Sequence, residues 1–131
     1  MAVILLVTSD AASREGWEAD LGEAGHVVLV TATAAAALSQ LLAGGIDVVI
    51  AEYEVAGGLA PLTSALGRLP DRPPLVLLSG AADAPAVSAH VGAAAFVMKP
   101  CSGSELAAIV KKQMEGPMPL DMAPTGPISR P

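Results

Sequence analysis

Five short apolar runs punctuate the chain and give way abruptly to polar or charged residues: AVILLV (Ala2 to Val7), HVVLVT (His26 to Thr31), DVVIAE (Asp47 to Glu52), RPPLVLLSG (Arg72 to Gly80) and AAFVMK (Ala94 to Lys99). Continuous apolar runs of this length suit strands buried on both faces of a parallel sheet. The segments between them read as helices. In SDAASREGWEADLGEAGH, the residues Trp17, Leu21 and Ala24 recur at i, i+4 and i+7, with Ser9 or Asp10 as a cap and Gly25 as a stop. Thr33 caps AAAALSQLLAGG, which two glycines close, and GGLAPLTSALGRL tolerates Pro61 only in a first turn. DAPAVSAHVGA predicts a short helix, and SGSELAAIVKKQM a last one, with Ser102 or Ser104 as cap and Lys111 and Lys112 at its C-terminal end. This alternation predicts a doubly wound α/β domain, a five-stranded parallel sheet with helices on both faces. Periodicity does not fix the strand order.

The predicted domain covers residues 1–114. From Glu115 onward, EGPMPLDMAPTGPISRP has frequent prolines and no period, which reads as a disordered tail or a linker. A chain of 131 residues is enough for one core. Val27 to Ile46 carries no charge over a transmembrane length. Its threonines, Ser39, Gln40 and Gly44-Gly45, and its change from strand-like to Ala-rich helix-like pattern, resolve it into two elements of a soluble domain.

Composition narrows the functional classes. Apolar residues make up 53% of the chain and charged ones 15%, so most of it is expected to pack. Trp17, Tyr53 and Phe96 are the aromatics, which leaves a core of small aliphatic side chains. A net charge of −6 with seven scattered Lys and Arg argues against nucleic acid as a partner. One cysteine, Cys101, allows no intrachain disulfide and favours a reducing, cytoplasmic setting. The N-terminus lacks the basic flank of a signal peptide.

Ligands of doubly wound sheets bind beyond the carboxyl ends of the strands. Those ends carry Thr8-Ser9 and then Asp10, Glu52, Ser79-Gly80 and Lys99-Pro100. One carboxylate, several hydroxyls and one ammonium are therefore expected on one edge. Cys101 reads as a small buried hydrophobe, even though the nearby ammonium of Lys99 favours a lower thiol pKa. Trp17 reads as core. His26 and His90 show no ligand spacing and read as packing or surface residues.

Over about residues 2 to 114 the chain resembles the receiver domain of bacterial response regulators. The resemblance rests on DVVIAE, PLVLLSG, GAAAFVMKP and the opening ILLVTSD…EAGHVV. It implies a flavodoxin-like sheet in the order 2-1-3-4-5. It also implies that Glu52 occupies the phosphoacceptor position, Thr8 and Ser9 the positions of a metal-binding acidic pair, Ser79 and Phe96 the switch positions, and Lys99 that of the family's lysine. A cis Lys99-Pro100 bond is a further implication. The chain departs from the family's pattern at the sites that matter most. Neither Thr8 nor Ser9 is charged, Glu replaces Asp at position 52, and the loop EYEVAGG looks about two residues short.

Magnesium demands several hard oxygen ligands. With Thr8 and Ser9 in place of carboxylates, its binding is expected to be lost or weak, leaving Asp10 and Glu52 as weak metal candidates. Without the ion, phosphoryl transfer loses its main electrostatic clamp. The expectation is a non-enzymatic, phosphorylation-independent interaction module in two-component-type signalling. Its partners would be a histidine kinase or an output protein, with room for a weak homodimer and with neither nucleic acid nor a membrane. By analogy its binding face would comprise DAPAVSAHVGA, AAFVM and SELAAIVKKQ. The alternative is a phosphorelay receiver still phosphorylated through a weak magnesium site. A third option is an anion sensor built on Lys99, Ser79 and Thr8, although TSDAAS is no phosphate-binding loop. Glu52, one methylene longer than Asp, is expected to accept from Lys99 and from Ser79. Two readings of that arrangement stand side by side: a permanent mimic of the phosphorylated state, and an ion pair with a structural role only.

Overall fold

A computed structural model of the chain describes residues 2–54, 58–69, 72–80 and 93–115. The predicted helix around residues 83–92, with Asp83 and His90, and the tail from residue 116 lie outside the described residues. The elements run β1 (Val3–Val7), α1 (Ala11–Glu23), β2 (Val27–Thr31), α2 (Ala34–Ala43), β3 (Val48–Glu52), α3 (Ala60–Arg68), β4 (Leu75–Ser79), β5 (Ala95–Met98) and α4 (Gly103–Met114). All strand pairs are parallel, and the sheet has the order β2-β1-β3-β4-β5. The expected 2-1-3-4-5 topology is therefore the observed one.

Alternation along the strands sorts the apolar residues onto two faces. Ile4, Leu6, Ile50 and Leu78 pack under Trp17 and Leu21 of α1 and Leu106 and Val110 of α4. Leu5, Val7, Val49 and Leu77 pack under Ala37 and Leu41 of α2 and Leu62 and Leu66 of α3. The inner strands β3 and β4 are buried throughout, which is why they read as unbroken apolar runs. At the edges, β2 and β5 are partly exposed.

The helix ends follow local chemistry. Asp10, rather than Ser9, caps α1, its Oδ1 accepting from the Ser13 N–H at 3.2 Å. Ala24, expected on the apolar side of this helix, instead forms its exposed C-cap. Thr33 caps α2, and Gly44 and Gly45 stop it with φ of +86° and +82°, a region open mainly to glycine. Pro61 falls in the first turn of α3, where no backbone donor is needed. Ser102, rather than Ser104, caps α4 and forms a reciprocal capping box with Glu105.

Because every strand points the same way, all five carboxyl ends share one edge. From that edge α1 leaves β1 toward one face and α3 leaves β3 toward the other. The resulting crevice between the ends of β1 and β3 is where such sheets hold functional groups.

Candidate functional site

Burial singles out this crevice. The buried polar residues among the described ones are Thr8, Glu52 and Ser79, which follow or end β1, β3 and β4. A buried polar group is costly unless it finds a partner, and a buried charge more so. Each of the three is engaged. Glu52, 5% exposed, accepts from the Thr8 hydroxyl on Oε1 and from the Lys99 ammonium on Oε2. Thr8 Oγ1 in turn accepts from the Asp10 N–H at 3.0 Å, and the Thr8 N–H donates to Thr31 O at 2.9 Å. The side chain therefore sits between two strands and a helix start.

Lys99 reaches Glu52 from beyond the end of β5, past the end of β4. Its backbone N–H donates to Ser79 O at 3.0 Å, which anchors the residue, and the Lys99-Pro100 bond is cis, as the resemblance implied. The ammonium also lies 3.6 Å from Asp10 Oδ2 and 5.9 Å from the centroid of the Trp17 ring. Partial burial pulls the Lys99 pKa down. The hydrogen bond and charge of Glu52, and then those of Asp10, outweigh that pull and hold it above its ordinary value. The Asp10 pKa is lowered, first by its hydrogen bonds to Ser13; burial opposes them with an effect that ranks next, and the charge and hydrogen bond of Lys99 then add to the lowering.

Thr8, Asp10, Glu52 and Lys99 thus converge as their strand-end positions predict, but one expected contact is replaced. Glu52 takes its second donor from Thr8, while the Ser79 hydroxyl donates to Glu54 Oε2 at 2.6 Å. The cause is geometric. Ser79 follows Leu78, the register partner of Glu52, and the turn after Glu52 brings Glu54 back over the end of β4. That turn is pinned by the Tyr53 N–H, which donates to Leu78 O at 2.8 Å. Ser9 is exposed, and Phe96 is half-buried against the α2–α3 core.

Sequence reasoning missed two residues of the site. Glu54 is the nearest acid after Glu52, but its role depends on the path of the turn. Trp17 is core, at 3% exposure, yet its indole N–H donates to Cys101 O at 3.0 Å across 84 positions of sequence. Cys101 behaves as a partly buried thiol: burial raises its pKa, Glu105 adds to the rise, and the opposing pull of Lys99 does not reverse it. His26 has a packing role, its Nδ1 accepting from the Ala2 N–H at 3.0 Å.

Two grooves open at the opposite, amino edge. One of about 420 Å³ is lined by His26, Lys111 and Met114, and another of about 310 Å³ by Thr63, Arg72 and Pro74. Neither includes the Glu52 cluster. Among the described residues, no helix is long and apolar enough to cross a membrane.

No family model matches the chain, and no curated protein matches its sequence. Solved structures do match. The fold is similar to that of a candidate response regulator from Chloroflexus aurantiacus, with 25% identity and a TM-score of 0.79 over 87% of this chain and 98% of that one. It is similar to a CheY-like response regulator receiver domain protein from Methanospirillum hungatei, at 22% identity and a TM-score of 0.78 over 88% and 94% of the two chains. It is also similar to the chemotaxis protein CheY4 of Vibrio cholerae, at 20% identity and a TM-score of 0.75 over 86% and 98%. The structural neighbours are receiver domains, and the flavodoxin-like fold of this chain is theirs.

Proposed function

We propose that this chain is an atypical receiver domain that acts as a phosphorylation-independent protein-interaction module in two-component-type signalling, without enzymatic activity of its own. The observation that carries this reading is the engagement of both Glu52 carboxylate oxygens, one by Thr8 and one by Lys99. In the phosphoacceptor position, a side chain held in this way has one donor on each oxygen and its charge paired with Lys99, which weakens it as a nucleophile toward a phosphoryl group.

The donor set also fails to fit a magnesium ion. Such an ion wants several unengaged hard oxygens in octahedral array. Here Glu52 is engaged on both oxygens and the Thr8 hydroxyl is directed at Glu52. Asp10 caps α1 with one oxygen and faces Lys99 with the other. The Lys99 ammonium supplies the positive charge that a metal would otherwise bring. Its standing contact with Glu52 favours the mimic of a phosphorylated state over a vestigial site, because the lysine is drawn onto a carboxylate at the strand end without any transfer reaction. A histidine kinase or an output protein of the same signalling class is the partner such a module would bind.

The test is an amide NMR titration with magnesium, followed by magnesium plus beryllofluoride. The expected result is an unchanged spectrum at Thr8, Glu52, Ser79 and Lys99. Saturable shifts at these residues would overturn the proposal and favour a receiver phosphorylated through a weak metal site. Glu52→Ala then separates mimic from scaffold: a changed affinity for the partner supports the mimic, and an unchanged one assigns the pair to structure alone.

A further inference from the structure

The contact between Ser79 and Glu54 is not needed to explain the Glu52 pair. Ser79 is wholly buried at the end of an inner strand, whereas Glu54 is exposed on the turn after β3. A hydroxyl has one proton and donates to one acceptor at a time. At 2.6 Å the bond to a carboxylate oxygen has the length of a charge-assisted O–H···O⁻ contact. The backbone of Ser79 is a junction as well, since its carbonyl accepts from the N–H of Lys99, the residue whose ammonium holds Glu52. Glu54 is thus a solvent-facing carboxylate gripping a buried side chain one residue-to-residue contact away from the central ion pair.

We propose that Glu54 is a positioning residue that sets the Ser79 rotamer, directing the hydroxyl proton to the β3–α3 turn and leaving the Glu52 carboxylate to Thr8 and Lys99. The two glutamates divide the donors of the edge between them: Glu52 takes Thr8 and Lys99, and Glu54 takes Ser79. Because Glu54 is exposed, it is the outer lever of this arrangement. A basic side chain of a bound protein that drew off its carboxylate would break the Ser79–Glu54 bond at the strand end from which Lys99 is anchored. This inference rests on the proposed function for its biological meaning, but its geometry is tested without any partner or metal.

The experiment compares the full chain with Glu54→Ala and Glu54→Gln by NMR, reading the Ser79 Hα–Hβ couplings and the Glu52 side-chain carboxyl carbon shift. In the unsubstituted protein the couplings should report one Ser79 rotamer. Glu54→Ala should move them away from the parent values and shift the Glu52 carboxyl resonance, whereas Glu54→Gln, which retains an acceptor oxygen, should stay close to the parent in both. Averaged couplings in the parent protein overturn the proposal, as does a Glu54→Ala spectrum unchanged at both groups. A loss of stability with both signals unchanged overturns it too, since that is the signature of a merely structural bond. A magnesium-dependent shift at Glu52 would count against the proposed function and leave the Ser79 couplings to decide this inference independently.

Discussion

Lys99→Met keeps an unbranched apolar stem beside Trp17 and removes the ammonium. Glu52, 5% exposed, then keeps the Thr8 hydroxyl but loses its countercharge. Removing one partner of a buried pair costs about 3–5 kcal/mol. The retained hydrogen bond to the charged carboxylate places this case at the lower end, about 3 kcal/mol. Glu52→Gln acts on the other partner and should cost less. The Lys99 side chain is 24% exposed and lies 3.6 Å from Asp10, so it recovers hydration and part of its pairing. A loss of about 1–2 kcal/mol is expected there. The double variant buries no unpaired charge, so it should resemble Glu52→Gln alone, giving a coupling of about 3 kcal/mol. Urea unfolding followed by far-UV circular dichroism measures all three, with unchanged m-values marking shared end states. The thermal midpoint of Lys99→Met should fall by roughly 10–15 °C. The reasoning is refuted if Lys99→Met is no more destabilising than Glu52→Gln, or if the two losses simply add.

Four further outcomes are expected. The Asp10 pKa is depressed from its ordinary 3.8, so its stabilising contribution is complete above that value and lost as pH falls through the lower folded-state value; Asp10→Asn should flatten the acid limb of a melting-temperature profile. The Lys99 pKa is raised from 10.5, so its contribution is complete below that value and disappears only as pH rises through the higher folded-state value, an alkaline limb that Lys99→Met should lack. Gly103→Ala would place a Cβ 2.5 Å from Asp20 Cβ, costing about 1–3 kcal/mol in urea unfolding; Asp20→Ala should fail to rescue it, because the clashing Cβ remains. Trp17→Phe leaves Cys101 O without the indole donor and should cost about 1–3 kcal/mol by the same measurement.

The strands were legible because their residues face a core on both sides, so VVIAE and LVLLS carry no polar interruption until the strand ends. The site was legible for a related reason: a polar residue that ends such a run lands on the shared carboxyl edge, as Thr8, Glu52, Ser79 and Lys99 do. The Asp10 and Ser102 caps could be narrowed by residue type but not chosen over Ser9 and Ser104, because capping depends on backbone angles that neighbouring serines can equally adopt. The partner of Ser79 was not legible. Whether a strand-end hydroxyl meets Glu52 or Glu54 depends on the curl of a turn that the spacing of two acids does not encode. The bond from Trp17 to Cys101 joins positions that periodicity treats as unrelated, and the Trp17 pattern registers only the apolar body of the ring. The strand order needed the resemblance, since any right-handed winding of these elements would satisfy the same hydrophobic pattern.

Trp17 is the only tryptophan in the chain, and it lies with a lysine ammonium near its ring and its N–H fixed to a backbone carbonyl. The protein therefore carries its own optical probe at the place where Lys99 is held. Indole emission responds to nearby charge and to the bond made by its nitrogen, so a displacement of Lys99, whether by substitution, ligand or docking protein, should register as a change in intensity or wavelength without any label. Because no second tryptophan contributes, that light reports one locus, and the movement of a single ammonium can be followed in real time in unmodified protein.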